Sequence, residues 1–318
     1  MYEIAALGES LIDFTFHGMS EGGMRVFEQN PGGAPANALA VFAKFGEKAA
    51  FIGKVGRDMH GLFLKETMEK AGIDTKGLIL ADDVFTTLAF VSLNEQGERE
   101  FSFARKPGAD TCLKSEEVNT EILAETKIFH VGSLSLTDEP CRSATFYALE
   151  KAKELGKIVS YDPNYRALLW KNVEEAKAGM RSALPYVNVI KISDEETALL
   201  TDEKEPEKAA EVLFEKGISL IAVTLGKDGA YVRTKEGGVV VPGFSSKVVD
   251  TTGAGDSFWG GFLYQLAQSG KRPEEVTLEE AKQFARFGNA VASLCVEKRG
   301  GIPAIPTLAQ VQQRMTEC

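Results

Sequence analysis

Short apolar segments alternate with segments of helical periodicity along most of the chain. The apolar segments have the length of buried strands and lie at residues 3–7, 49–55, 128–131, 158–161, 187–192, 220–224 and 230–233. Helical periodicity is found at residues 37–45, 61–71, 141–155 and 206–216. This order predicts an α/β fold with a three-layer, Rossmann-like architecture, in which helices cover both faces of a mostly parallel sheet. Such folds bind ligands at the carboxyl ends of the strands.

Two stretches interrupt the alternation and predict a small antiparallel β lid. The first contains residues 25–29, and the second contains residues 86–93 and 98–105, joined by Asn94-Glu-Gln-Gly97. Apolar and polar residues alternate on both sides of that turn, as in a hairpin with one wet face. We therefore predict a single domain over residues 1–318, with a lid built from about 14–30 and 86–106 inserted in it.

The charge balance argues against polyanionic partners. The 318 residues include 46 acidic and 36 basic side chains, so the formal net charge is −10. Such a surface repels nucleic acid and anionic membranes, and we expect neither as a partner. No apolar run is long enough to span a membrane, and no basic leader opens the sequence, so we expect a cytoplasmic protein.

The strongest chemical motif is Asp250-Thr-Thr-Gly-Ala-Gly-Asp256, followed directly by a predicted helix. Gly253 and Gly255 allow successive main-chain N–H groups to point into one concavity, where the helix start also favours an anion. Asp256 lies within reach of that place and could accept a proton from an attacking hydroxyl. The alternative is a tight turn in which Asp256 only caps the helix.

A second glycine-rich motif, Asn30-Pro-Gly-Gly-Ala-Pro-Ala-Asn37, leads into another predicted helix. Gly32 and Gly33 permit close approach of the backbone to a ligand, and Asn37 offers the donor and acceptor that suit a polyol. The motif could equally be a turn with Asn37 at a helix start. Asp13, shortly after the first strand, could accept hydrogen bonds from sugar hydroxyls or be solvated.

A third motif, Thr224-Leu-Gly-Lys-Asp-Gly229, follows an apolar strand. A glycine turn at this end of a strand can lie against nucleotide phosphates or ribose, and it can also be an ordinary hairpin turn. Neither a Walker A sequence nor a G-x-G-x-x-G at the first strand-to-helix unit is present, which argues against a P-loop enzyme and a dinucleotide-dependent oxidoreductase.

In this combination and order, the motifs resemble those of the ribokinase-like (PfkB) carbohydrate kinases over nearly the whole chain. Gly32-Gly33-x-x-x-Asn37 and Gly53-Lys-Val-Gly-Arg-Asp-Met-His-Gly61 resemble the first family signature. The sequence from Asp250 to Asp256, with Phe258 and Gly261-Phe262, resembles the second. The resemblance implies an ATP-dependent sugar kinase that uses ATP, Mg²⁺ and, in many members, K⁺.

Site roles are carried over by this resemblance to the matching positions. For catalysis it implies Asp256 as the general base and the amides of Gly253, Ala254 and Gly255 as an anion hole. For the sugar it implies Asp13, Gly32, Gly33 and Asn37, and for the nucleotide Thr224, Gly226, Gly229 and, beside adenine, Asn289. For potassium it implies Asp250 and Thr252, with further ligands near residues 295–301.

One family motif is altered in this chain. Family members often carry Asn-x-x-Glu near the magnesium and phosphates, whereas this chain reads Ser193-Asp-Glu-Glu196. Glu196 keeps the acidic end and remains a candidate for the magnesium site, since Mg²⁺ prefers oxygen ligands and bound waters. Ser193 replaces the usual amide contact to the nucleotide. The alternative is a helix start that is simply acidic.

Two further segments bear on the choice of sugar. On the predicted lid strand, Phe101, Phe103 and Arg105 share a face that could close over a sugar, although packing within the lid explains Phe101 as well. Arg166, in Asp162-Pro-Asn-Tyr-Arg166, could form paired hydrogen bonds to a polar substrate or be an ordinary surface arginine.

Within the family these segments look most like those of fructokinases, which implies phosphorylation of fructose at O6. A 2-keto-3-deoxygluconate kinase would show tyrosine where Phe103 stands, and a nucleoside kinase is a further alternative. From a different class, the chain could be a non-catalytic sugar-binding or assembly protein. The lid's apolar face also predicts a homodimer formed lid to lid, as is common in the family.

Overall fold

The computed structural model describes residues 1–93 and 99–316. The strands are β1 Tyr2–Leu7, β2 Leu11–Met19, β3 Arg25–Gly32, β4 Ala49–Gly56, β5 Ile73–Ala81, β6 Leu88–Leu93, β7 Arg99–Ala104, β8 Thr126–Gly132, β9 Ile158–Asp162, β10 Val189–Ser193, β11 Leu220–Thr224, β12 Ala230–Thr234 and β13 Gly237–Val241. The helices are α1 Ala34–Lys44, α2 Met59–Lys70, α3 Thr120–Glu125, α4 Cys141–Glu154, α5 Val173–Ser182, α6 Thr197–Thr201, α7 Pro206–Glu215, α8 Ala254–Ser269, α9 Leu278–Cys295 and α10 Leu308–Thr316. Every strand and helix predicted from periodicity is confirmed, with ends that differ by a few residues.

The main sheet has nine strands in the order β13-β12-β11-β10-β9-β8-β1-β4-β5. Pairing is parallel from β5 to β11, and β12 runs antiparallel to both of its neighbours. The chain adds strands on one side of β1 first and on the other side afterwards, so the strand order reverses at β1. A crevice opens at such a point, outside the carboxyl ends of the strands.

Each face of the main sheet has its own apolar core. Alternate residues of β1 point to opposite sides: Ile4 and Ala6 pack with α1, α2, α8, α9 and α10, whereas Ala5 and Leu7 pack with α3 to α7. The predicted three-layer α/β fold with a mostly parallel sheet is therefore confirmed. Among the described residues, the helices are all too short or too polar to cross a bilayer.

A second sheet of four strands, in the order β3-β2-β6-β7, stands beside the first. The β2–β3 and β6–β7 pairs are antiparallel, as predicted, but β2 and β6 pair in parallel and join the two hairpins. This parallel pair is a difference from the predicted lid, because hydrophobic alternation does not reveal which distant strands pair. Asn94-Glu-Gln-Gly97, the predicted hairpin turn, and the side chain of Phe101 lie outside the described part of the chain.

Candidate active site

A cleft of about 940 Å³ lies between the two sheets. Its walls include residues that follow β1, β8, β9 and β10, together with residues of β2, β3, β6 and β7 from the small sheet. The predicted site residues that line it are Asp13, Gly33, Asn37, Phe103, Arg166, Asp250, Thr252, Gly253, Ala254, Gly255 and Asp256. The predicted residues that do not line it are Gly32, Arg105, Ser193, Glu196, Thr224, Gly226, Gly229 and Asn289.

Helix α8 begins at the floor of the cleft. Gly253 precedes it with a φ of 74°, and a Cβ at this position would lie 2.9 Å from the Cα of Gly301. Only glycine adopts this conformation at so close an approach without strain. Ala254 N–H donates a 3.3 Å bond to the carbonyl of Thr251, so the amides of Gly253 and Gly255 are the better placed donors for an anion.

Asp256 lies in the first turn of α8. Its Oδ2 accepts a 2.8 Å hydrogen bond from Nδ2 of Asn37, which joins two glycine-rich motifs 219 positions apart in the sequence. Burial and the nearby carboxylate of Asp162 raise the pKa of Asp256 to about 6, against the opposing effects of Asn37 and Lys191. Asp256 is therefore mostly ionised near neutral pH and can accept a proton.

The glycine-rich motif of residues 30–37 approaches the same place from the small sheet. Gly33 has a φ of 122°, and a Cβ there would lie 2.5 Å from the carbonyl oxygen of Glu9. A Cβ on Gly32 would overlap the carboxylate of Asp13. Gly32 therefore acts by making room for Asp13, whereas Gly33 itself lines the cleft and begins helix α1, which carries Asn37.

Asp13 and Arg166 enter the cleft from opposite sides. Burial raises the pKa of Asp13 to about 6; Arg166 opposes this shift, and the carboxylates of Asp256 and Asp250 add to it. Arg166 is exposed, and its Nη1 donates a 3.0 Å hydrogen bond to the carbonyl of Tyr165. The cleft thus has acceptors and donors on facing walls, the arrangement that hydroxyl-rich ligands need.

Asp250 is held in a fixed orientation beside the glycine turn. Its Oδ1 accepts from the amide and hydroxyl of Thr252 at 3.0 Å and 2.8 Å, and its Oδ2 accepts from the Gly300 amide at 3.0 Å. The main chain at Val249 and Asp250 also donates to the carbonyl of Val296. Residues 295–301, the predicted source of further potassium ligands, therefore do lie against Asp250.

Arg105 is turned away from the cleft and into the protein. Its side chain is only 3% exposed and lies 2.7 Å from Oδ2 of Asp110. It also donates at 2.9 Å to the hydroxyl of Thr137 and to the carbonyl of Leu134. The predicted direct contact to the sugar does not fit this geometry, because these internal acceptors hold the guanidinium. Phe103, near the end of β7 and two residues before Arg105, does line the cleft.

The predicted nucleotide residues lie around the end of the β11–β12 hairpin. Leu225 N–H donates to the carbonyl of Gly229 at 2.8 Å, so the hairpin-turn interpretation of this motif agrees with the structure. A Cβ on Gly229 would overlap the carbonyl of Val241. Asn289 donates to that same carbonyl at 3.2 Å and to the carbonyl of Pro242 at 3.0 Å. Asn289 therefore positions the chain that follows β13.

Glu196 closes a capping box at the end of β10. Its two oxygens accept from the amides of Ser193 at 2.7 Å and Tyr165 at 2.6 Å. The carboxylate is thus buried and bonded to the main chain, as in the alternative of an acidic helix start. Within the described ranges, no group of three or more His, Cys, Asp or Glu side chains is placed to hold a metal ion.

Two buried charged residues that line the cleft, Lys191 and Glu9, were not among the predicted site residues, and neither was Asp162, the ion-pair partner of Lys191. Lys191 forms an ion pair with Asp162, 2.9 Å between Nζ and Oδ2. Glu9 is 3% exposed, and burial raises its pKa to about 7. A charged residue inside the apolar run 189–192 was a signal for Lys191, whereas nothing in the local sequence marked Glu9.

An ionised carboxylate beside main-chain amides, in a cleft lined by polar side chains, is suited to transfer of an anionic group to a hydroxyl. The comparisons with known proteins agree with this chemistry. The chain belongs to the pfkB family of carbohydrate kinases, whose family model matches residues 1–308. It is therefore a phosphotransferase that acts on a sugar hydroxyl, and the predicted family and enzyme class are confirmed.

Similar proteins include several fructokinases. A relative from Arabidopsis thaliana named "Probable fructokinase-5" is 42% identical over 317 residues, which cover 98% of this chain and 97% of the relative. The solved fructokinase from Xylella fastidiosa with bound ATP superposes with a TM-score of 0.92 at 33% identity, covering 100% of this chain and 99% of that one.

Fructokinase from Vibrio cholerae O395 has been solved in two relevant forms. The form with fructose, ADP and a calcium ion has a TM-score of 0.88 to this chain at 32% identity, with 99% of each chain covered. A double mutant with fructose, ADP and a potassium ion has a TM-score of 0.87 at 32% identity, covering 99% of this chain and 98% of that one.

Proposed function

We propose that the protein transfers the γ-phosphate of ATP to O6 of D-fructose, giving ADP and fructose 6-phosphate. The observation that carries the proposal is the Asn37–Asp256 hydrogen bond at the start of α8, inside a cleft closed on one side by the small sheet. The fructokinase names of the similar proteins support the choice of sugar.

In the proposed reaction, Asp256 accepts the proton of the attacking sugar hydroxyl. The amides of Gly253 and Gly255, with a smaller contribution from Ala254, stabilise the negative charge of the moving phosphoryl group. The sugar is held by Asp13, Gly33, Asn37, Phe103 and Arg166. Arg105 does not contact the sugar in this scheme. It holds together the two segments that carry Asp110 and Leu134.

ATP would enter between the glycine turn and the β11–β12 hairpin, where Ser193, Thr224, Gly226, Gly229 and Asn289 lie. Mg²⁺, when bound with ATP, would neutralise phosphate oxygens and keep several waters, so it would not need a ready-made cluster of acidic ligands, and the described part of the chain has none. Glu196 would act on it through water, because both its oxygens are already bonded to the main chain.

We also propose a potassium site at Asp250 and Thr252. Asp250 accepts hydrogen bonds from the Thr252 hydroxyl and from the Gly300 amide, so these two oxygen-bearing residues lie against the segment 295–301, and potassium is bound in the similar Vibrio double mutant. Potassium should raise the rate above that in sodium. The rates in the two salts are compared for the wild type and for Asp250→Asn as a matched variant. Equal rates of the wild type in the two salts would count against the site.

A panel of acceptors tests the substrate. ADP release, coupled to an optical readout, is measured with fructose, glucose, 2-keto-3-deoxygluconate and a nucleoside at equal concentrations. We expect the highest kcat/KM with fructose. A higher value with 2-keto-3-deoxygluconate or the nucleoside would replace fructose by that substrate. Sugar binding by calorimetry without any ADP release would instead favour the non-catalytic class.

Finally, we propose a cytoplasmic homodimer formed through the outer face of the small sheet, which acts as a lid. Phe90 stacks on Phe14 at 5.2 Å yet remains 36% exposed, and Val26 is 38% exposed. Light scattering should give a dimer mass that Phe90→Glu reduces and that Leu155→Glu, at an exposed apolar position on the main domain, leaves unchanged. A monomer at micromolar concentration would contradict the dimer.

A further inference from the structure

A lysine is buried in the main sheet, next to the candidate catalytic turn. Lys191 is 5% exposed and lies on β10 between the fully buried Ile190 and Ile192. Its Nζ lies 2.9 Å and 3.1 Å from the two carboxylate oxygens of Asp162, at the end of the neighbouring strand β9. Burial of an ion pair carries a desolvation penalty that often exceeds the attraction, so its position calls for a functional reason.

The ammonium lies directly beside the start of α8. A Cβ on Gly255 would be 3.1 Å from Nζ of Lys191, so the absence of a side chain at this position leaves the ammonium next to the helix start. Lys191 also lines the cleft. A fixed positive charge is thus present at the place where negative charge would develop during phosphoryl transfer.

Charged and titratable groups from several elements interact with Asp256. They are Asp162 on β9, Lys191 on β10, Arg166 after β9, Asp13 on β2 and Cys295 on α9. Burial lowers the pKa of Lys191, but the carboxylates of Asp162, Glu196 and Asp256 outweigh that effect and raise it overall. Lys191 therefore stays protonated. The two members of the ion pair act on Asp256 with opposite sign, Asp162 raising its pKa and Lys191 lowering it.

We propose that Lys191 and Asp162 are a positioning pair for the reaction, in which Asp162 holds the Lys191 ammonium against the anion-binding turn and beside Asp256. Lys191 then supplies positive charge to the phosphoryl group and keeps the general base ionised. Asp162 fixes the Lys191 ammonium in place. Its own negative charge limits how far the ammonium favours the ionised form of Asp256. The inference rests on the proposed function of Asp256 as the proton acceptor.

The same sheet offers a matched control. Lys54 on β4 is also buried and forms an ion pair with Glu117, 2.7 Å between Nζ and Oε1, with side-chain exposures of 8% and 25%. It does not line the cleft. Lys54→Met therefore removes a buried lysine charge from a strand of this sheet without touching the surroundings of Asp256.

The test is the pH dependence of kcat/KM for the best acceptor, measured for Lys191→Met, Asp162→Asn, Lys191→Arg and Lys54→Met. Lys191→Met should lower kcat at least tenfold. It should also move the acidic limb of the profile, the range in which kcat/KM falls as the pH is lowered, upward by about one pH unit. Asp162→Asn should move the limb downward, although it breaks the same ion pair. Lys191→Arg keeps the charge and should hold the limb near its original pH, and Lys54→Met should not move it.

Opposite shifts in the two variants distinguish a charge role from a structural one. If both variants move the limb in the same direction, or neither moves it, the pair is only structural and the proposal is wrong. Should Lys191→Met fail to fold, as judged by circular dichroism, Asp162→Asn against Lys54→Met still decides the question. A wild-type protein without sugar-dependent ADP release would refute the proposed function instead, independently of these shifts.

Discussion

The two sheets contribute very different halves of the cleft. The half built on the main sheet carries Asp162, Lys191 and Asp256 in buried or hydrogen-bonded positions, with α8 starting at Gly253, where a side chain would strain the backbone and crowd Gly301. The half built on the small sheet carries Asp13 and Phe103 on strands whose outer face is partly exposed. In the proposed scheme the reaction chemistry belongs to the buried, densely packed half, whereas the small sheet selects and covers the substrate.

The largest effect on catalysis is expected in the half built on the main sheet. Asp256→Asn keeps the shape of the side chain but removes proton acceptance, so kcat should fall by about 10²–10⁴-fold. KM for both substrates should stay within a few-fold of the original, because the binding groups remain. Steady-state ADP release measures both constants. Turnover within a few-fold of wild type would show that the base lies elsewhere.

The pH dependence of kcat/KM should reflect the ionisation of Asp256. Because burial raises the pKa of Asp256 to about 6, protonation below that pH removes the proton acceptor. The value of kcat/KM should be level near pH 7.5 and fall about tenfold per unit below pH 6. The pKa of Asp13 lies in the same range, so its protonation contributes to the same fall in kcat/KM. A limb centred near pH 4 would contradict the raised pKa.

The junction between the two halves should be sensitive to a single methyl group. Gly33→Ala combines a φ of 122° with a Cβ placed 2.5 Å from the carbonyl of Glu9. We expect a loss of about 2–4 kcal/mol in the free energy of unfolding, from backbone strain and overpacking together. Gly18→Ala is the matched control: its φ is 134°, but a Cβ there would have no neighbour within 4 Å.

Urea unfolding of both glycine variants measures the difference. Gly18→Ala should lose about 1–2 kcal/mol, the strain of the backbone alone. Equal losses in the two variants would mean that the contact with Glu9 contributes nothing and that the junction is no more constrained than the lid.

The smallest effect on catalysis is expected in the lid half. Asp13→Asn should raise KM for the sugar several-fold and change kcat little. Ionising Asp13 opposes folding, because its folded pKa of about 6 lies above the unfolded value near 3.8. That penalty is present above pH 6 and vanishes below about pH 4.

Thermal unfolding can therefore separate binding from stability at this position. Asp13→Asn should have a higher Tm than wild type at pH 8, and the difference should disappear near pH 4. A variant that is less stable than wild type at pH 8 would indicate that the carboxylate makes a stabilising contact instead.

Much of the architecture follows from local sequence. The period of the apolar residues predicts seven of the nine strands of the main sheet and helices α1, α2, α4 and α7, and the glycine motifs predict the turns at Gly33 and Gly253. Strands β5 and β13 were not predicted. Charged residues and a glycine break the alternation in β5, and β13 begins with two glycines. Pairing with β4 and β12 supplies the stability that their own composition lacks.

The sequence by itself determined the layered α/β fold, the two glycine turns and a carboxylate at the start of a helix, because these depend on residues close together in the chain. Only the tertiary structure decided that Asn37 meets Asp256, that Lys191 lies against Gly255, and that Arg105 turns inward to Asp110. Strand order brings these partners together across long stretches of chain. Burial then fixes which charges must pair. Neither strand order nor burial of these residues can be inferred from local periodicity.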